Sequence, residues 1–228
     1  MKNIKKINKT KKIHKSSVKI QEYKPIDFSY LLGKVKGIDD ELMKIHLKLY
    51  EELVGATNGA LKIIKDTEKE GKVNNMVIYS SVQNQLGFFY NGMRLHELYF
   101  GVMAGENMDK IDDKFVDDIN KHFGSFEAWK NDYIKDVGNI PGIGFVVLCR
   151  DKTSGRMFNN WIIEFQNGEL IGVDPILVMD MWEHAYIAQF GLDLKKYKET
   201  FINNVNWSVV SKCWINSVNC QQNYLLKQ

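Results

Sequence analysis

Two long stretches in which apolar residues recur every three or four positions, joined by a short polar link, constrain this chain more than anything else in it. In Ile38–Ile64 the residues Leu42, Ile45, Leu49 and Leu53 mark one helical face, and Asp39 or Asp40 is placed to cap the start. Asn74–Met103 repeats the pattern with Leu95, Leu98, Tyr99 and Val102, and Gly87 and Gly92 are expected to interrupt it. Two such helices in succession hide their apolar sides by packing as an antiparallel hairpin.

The texture changes after about Gly105. Asp112–Ile119 and Ser125–Val137 read as short helices, and three β-rich runs follow: Phe145–Arg150, Trp161–Phe165 and Ile176–Met179. They are separated by the turn-prone Thr153-Ser154-Gly155 and by Asn167-Gly168, a hairpin signal. Helical patterning returns from Trp182, over Leu194–Val205 and again beyond Trp207. This order predicts an α+β fold in which an N-terminal antiparallel helical hairpin precedes a C-terminal domain, a small three-stranded antiparallel sheet flanked by helices. The expected boundaries are a flexible basic arm over 1–22, the hairpin domain over 23–105 and the α/β domain over 106–228, with Tyr23–Leu32 an irregular lead-in around Pro25.

Charge sets the arm apart. Met1–Lys19 holds eight lysines and no acid, whereas the whole chain has 31 Lys and Arg against 28 Asp and Glu, so everything beyond the arm is net acidic. Such a segment is a solvated tail or a contact for nucleic acid or another acidic surface. It lacks the apolar centre of a secretory leader, and no stretch reaches the ~18 apolar residues of a membrane span. Cys149, Cys213 and Cys220 are an odd set without a CxxC pair, which points to a reduced, cytoplasmic setting.

Of the five histidines, His14 lies in the arm and His122 in a polar segment. His46 and His96 each sit mid-helix among apolar neighbours, one on each limb of the hairpin. Asp180 and His184 stand four apart, directly after the apolar run Ile176–Met179, with Trp182 and Glu183 between them. Singly, these are hydrogen-bonded core histidines and a surface pair as readily as ligands. Together, three imidazoles and a carboxylate that needs a partner when buried form a set suited to iron, manganese or zinc.

Asp180-Met181-Trp182-Glu183-His184-Ala185-Tyr186 resembles the DxWEHA(F/Y) signature of the iron/manganese superoxide dismutases. Asn91-Gly92-Met93-Arg94-Leu95-His96-Glu97, Phe123-Gly124-Ser125-Phe126, Gly142-Ile143-Gly144-Phe145 and Val205-Asn206-Trp207 fall in that family's order and approximate spacing. The resemblance runs from about Phe28 to the C-terminus and leaves the arm outside. It implies one Fe or Mn ion per subunit, held by His46, His96, Asp180 and His184, with solvent as fifth ligand and superoxide as substrate. It further implies a homodimer or tetramer in which Glu183 reaches the metal-ligating histidine of the partner, with Trp182 walling the pocket.

The same comparison exposes departures. The family's channel tyrosine falls on Val54 or Leu53, so Tyr50, one turn past His46, is the candidate for the channel position. Ile187 replaces a frequent tyrosine, and Phe145 a frequent tryptophan. Iron-type members place a glutamine where this chain has Gly92, so an amide facing the metal's solvent is expected from Gln166, with Glu164 the other candidate. These changes predict a channel with few proton donors. Arg94 and Lys195 or Lys196 are candidates for steering the anionic substrate. A weak or inactive scaffold of the same fold, using its basic arm on nucleic acid, is the competing reading.

Overall fold

The structure, a computed structural model, describes residues 21–69, 76–103, 110–136 and 142–219. Residues 1–20 of the arm, with His14, and Asn74, Val137 and Cys220 lie outside these residues. Two helices, α1 (Asp40–Lys69) and α2 (Met76–Gly101), open the fold. The stripe that α1 buries is rotated from the expected one. It runs through Leu42, Met43, His46, Tyr50, Leu53, Val54 and Thr57, while Ile45 is 57% exposed. Polar His46 and Tyr50 displace Ile45 from the interior, an exchange that an apolar periodicity cannot register. Asp40 does not cap its own helix; its carboxylate accepts the Gly33 N–H at 2.6 Å.

Helix α2 passes through Gly87 and Gly92 without interruption. Gly92 is there for closeness: a Cβ at that position would lie 3.2 Å from Leu53 Cδ2 and 3.2 Å from Phe165 Cδ2. Helix α3 (Asp113–Phe123) is capped by the Asp112 side chain, which accepts from Lys114 and Phe115, and ends at Gly124 with φ 85°. Ser125 caps α4 (Phe126–Asn131), which continues as a π-helical turn over Asp132–Asp136.

The α+β order expected from the sequence is observed. The sheet has strand order β2-β1-β3, with β1 (Gly144–Asp151) between β2 (Met157–Ile163) and β3 (Val173–Asp180), all antiparallel. Central β1 is buried on both faces from Gly144 to Arg150, which explains why Phe145-Val146-Val147-Leu148-Cys149 is apolar without alternation. Thr153–Gly155 turns β1 into β2. Asn167-Gly168 does not join β2 to β3 as a hairpin. Asn167 instead folds back to bridge Ile163, and the chain then crosses to the far side of β1. Strand β2 therefore ends before Phe165, and Glu164, at φ 55°, takes the turn that swings Phe165 inward.

Strand β3 carries its apolar run into Asp180, which pairs with Phe145 in register. A slip at Leu148/Cys149 places Pro175, which has no N–H to give, opposite Cys149. Beyond the sheet, a 3₁₀ turn (Glu183–Ala185) leads through α5 (Ile187–Phe190) to α6 (Leu194–Asn203) and α7 (Trp207–Asn219). Met181 N–H donates to the Gly144 carbonyl at 2.8 Å, closing the sheet directly behind Asp180. A Cβ on Gly144 would lie 1.9 Å from the Ile162 carbonyl oxygen. Gly144→Ala is therefore expected to destabilise the protein by about 3 kcal/mol, at the upper end of single substitutions, measured by urea denaturation.

Candidate metal centre

Asp180 is fully buried, and its side chain is aimed by its neighbours. The Trp182 N–H donates to Oδ1 at 2.7 Å, and the Tyr197 hydroxyl of α6 donates to the Asp180 carbonyl at 2.6 Å. Tyr99, on α2, meets the Tyr197 hydroxyl at 3.3 Å. This leaves Oδ2 facing the interior. Three imidazoles converge on it: His46 Nε2 at 3.1 Å, His184 Nε2 at 3.2 Å and His96 Nε2 at 3.6 Å.

Hydrogen bonding alone does not account for this set. The His96 Nδ1–H donates to the Gly92 carbonyl at 2.6 Å, so in the neutral ring Nε2 is a lone pair, and it is buried with no partner. Burial holds His96 neutral, pushing its pKa down to about 3, and lowers that of His46 as well. Burial by itself would raise the Asp180 carboxyl, but His184 and His46 outweigh it and hold it below the usual carboxylate range. One anionic oxygen and three ring nitrogens, all within 4.8 Å of one another, thus share a small buried space. Metal–ligand bonds of ~2.1 Å set neighbouring donor atoms roughly 3.0–3.6 Å apart, the spacing between Oδ2 and the three nitrogens. The four side chains fit one metal ion, and the orphaned His96 lone pair is what such an ion satisfies.

The surroundings are aromatic. Phe100 packs against the His46 ring at 4.8 Å and Phe145 against His96 at 5.7 Å. Trp182 stacks at 21° on His184 and at 22° on Phe165, and its indole N–H donates to the Glu164 carbonyl at 3.3 Å. Phe165 also lies 5.8 Å from His96. Of the four ligand side chains only His184 has appreciable exposure, 20%, so the centre opens toward solvent on that side.

Two expected neighbours of the centre are elsewhere. Gln166 is not turned to the cluster. Its Oε1 lies beside Gly87, nine residues and ~13 Å up α2 from His96, because the turn at Glu164 sends Phe165 inward and Gln166 outward. The Glu164 side chain lies beside Asn167 at 3.5 Å. Tyr50 is buried next to the site, but its hydroxyl accepts from the Ile26 N–H at 2.9 Å and donates to Glu97 at 3.1 Å. Arg94 is paired with Glu97, and Lys195 lies 4.0 Å from Glu199. Glu183 is exposed at the start of its 3₁₀ turn. Phe165, Phe100 and Tyr197 were not singled out in the sequence. For Tyr99 a signal was present, since it stands one turn from His96 on the same face.

The fold and the donor set are those of a protein that could hold one metal ion on three histidines and one aspartate. The sequence profile described as "Iron/manganese superoxide dismutases, C-terminal domain" matches residues 111–213, which include Asp180 and His184. The chain is 30% identical over 180 residues to "Superoxide dismutase [Fe]" of Pyrobaculum aerophilum, covering 77% of this chain and 83% of that one. It is 31% identical over 219 residues to "Superoxide dismutase [Mn/Fe]" of Aeropyrum pernix, covering 93% and 99%. To "Superoxide dismutase [Mn]" of Mycolicibacterium smegmatis it is 27% identical over 184 residues, 81% and 86% of the two chains. The chain belongs to the iron/manganese superoxide dismutase family.

Proposed function

We propose that this protein converts superoxide to dioxygen and hydrogen peroxide at a single iron or manganese ion held by His46, His96, Asp180 and His184. The observation that carries this reading is the convergence of three Nε2 atoms, one an unpartnered lone pair, on one buried carboxylate oxygen. When bound, the metal supplies one-electron redox chemistry, taking an electron from one superoxide and giving it to the next.

The chain's own groups do the rest. Asp180 contributes a fixed negative charge in a dry site, where it favours the more positive ion far more than it would in water. Burial keeps His96 neutral, and its unpartnered Nε2 presents a lone pair free to bind. Trp182, Phe165, Phe145 and Phe100 place aromatic surface against the cluster. Protons for the reduced product enter from solvent on the side of His184, because the hydroxyls of Tyr50, Tyr99 and Tyr197 are engaged elsewhere. Retention of all four donors favours this reading over an inactive scaffold. Protein loaded separately with Fe and with Mn is expected to show dismutase activity with at least one of them. His184→Ala should lose both bound metal, by elemental analysis, and activity; full metal retention in that variant would contradict the assignment.

The assembly is proposed to be a homodimer or a tetramer, with Glu183 reaching His184 of a second copy. Its exposure beside the one partly open ligand supports this. Glu183→Ala is expected to shift the protein toward monomer in sedimentation velocity runs. A cytoplasmic location is proposed, supported by Cys149 and Cys213 being free of disulfides among the described residues; no helix among those residues is long and apolar enough to cross a membrane. The lysine-rich arm is proposed to be a peripheral solvated tail, with contact to nucleic acid the alternative that its eight lysines allow. Deleting residues 1–19 should leave turnover unchanged; salt-sensitive binding of the full chain to duplex DNA that the deletion abolishes would favour the alternative.

A further inference from the structure

His46 and His96 come from different helices, so an ion that uses both depends on how far apart α1 and α2 are held. One turn beyond His46 stands Tyr50, and immediately after His96 stands Glu97. The Tyr50 hydroxyl donates to Glu97 Oε1 at 3.1 Å, joining the two helices beside their ligands. Glu97 Oε2 accepts from Arg94 Nη1 at 2.5 Å. The Arg94 guanidinium lies 5.0 Å from the ring centre of Tyr23 and 5.4 Å from that of Tyr90. The circuit then returns to α1, because the Tyr23 backbone makes two 2.9 Å hydrogen bonds with the Asn58 side chain. From α1 through Tyr23, Arg94 and Glu97 back to Tyr50, this closed loop crosses between the helices twice.

Its members are well suited to holding position. Tyr50 is buried, and burial pushes its pKa up to about 12, so the hydroxyl remains a donor. It also accepts the Ile26 N–H, which fixes its direction. The Glu97 side chain is 12% exposed and has both oxygens engaged. None of these groups is bonded to a ligand atom of the cluster.

We infer that Glu97, with Tyr50 and Arg94, forms a positioning set that fixes α1 against α2 within a turn of His46 and His96 and so presents the two imidazoles at metal-binding separation before the ion arrives. This rests on the metal reading given above. A site already spaced for its ion spends less free energy on ordering when the ion binds. Loss of the tie should therefore appear in metal affinity and not only in fold stability. Partners just outside a coordination sphere typically alter affinity by about 10- to 100-fold, and a tie acting through two helices belongs at the lower end.

The test compares the parent with Tyr50→Phe, Glu97→Leu, their double variant, Glu97→Gln and the remote control Trp214→Phe. The control breaks the 2.8 Å bond from Trp214 to Asp118 and trims the packing of Trp214 on Phe115, between α7 and α3. For each full-length protein, Mn(II) affinity is measured by chelator competition and the thermal midpoint is measured with and without metal. Tyr50→Phe and Glu97→Leu should each weaken Mn(II) by about tenfold, and the double variant little further, because either one alone already severs the tie between the helices. Glu97→Gln, which keeps an oxygen for Tyr50, should recover most of the affinity. Trp214→Phe should lower both midpoints together and leave affinity at the parental value. Parental affinity in Tyr50→Phe and Glu97→Leu, with both midpoints lowered equally, would reduce the tie to an ordinary helix contact and overturn the proposal. If Glu97→Leu fails to fold, Tyr50→Phe, which removes a single oxygen atom, decides the matter alone. A parent that binds neither Mn(II) nor Fe(II) would instead sink the metal reading, and the positioning role with it.

Discussion

One fully buried carboxylate oxygen governs this structure. An isolated charge at that depth would cost several kcal/mol, so everything around Asp180 Oδ2 has to supply compensation. Three imidazoles face it, and the Tyr197 hydroxyl and the Trp182 N–H hold the residue by its carbonyl and its other oxygen. The sheet serves the same end. Strand β3 terminates in Asp180, the Phe145 pairing sets its depth, and Gly144 allows β2 to pass close enough to fix that pairing.

Much of this was legible in the chain. The two long helices, the three strands and the four donor side chains each follow from periodicity or from a motif whose residues fall in order. What stayed hidden was orientation. The stripe on α1 is set by what α2 and the lead-in offer it, so His46 and Tyr50 take places that hydrophobicity assigns to Ile45 and Leu49. Gly87 and Gly92 looked like helix breaks, yet tertiary packing overrides their weak propensity, and Gly92 instead makes room for Leu53 and Phe165.

The exchange of Phe165 for Gln166 has a simpler cause. Whether a side chain near a strand end faces inward depends on a single residue of register, and the left-handed turn at Glu164 comes just before Phe165 and Gln166. Composition favoured the amide, while the backbone selected the ring. The centre is consequently enclosed by aromatic surface where a hydrogen-bonding group had been expected. Tyr50 shows the converse. Its position beside the site followed from spacing along a helix, but its partners, Glu97 and the Ile26 N–H, are distant in sequence and could be found only in three dimensions.

The donors also enter the chain in a telling order. His46 and His96 are separated by fifty residues and precede the Asp180/His184 pair by more than eighty. No local segment contains more than two of them, and a nascent or denatured chain offers an ion only a flexible carboxylate–imidazole couple. An ion held by all four would therefore require the helical limbs to be docked on the sheet, so occupancy of the proposed site would double as an audit of assembly.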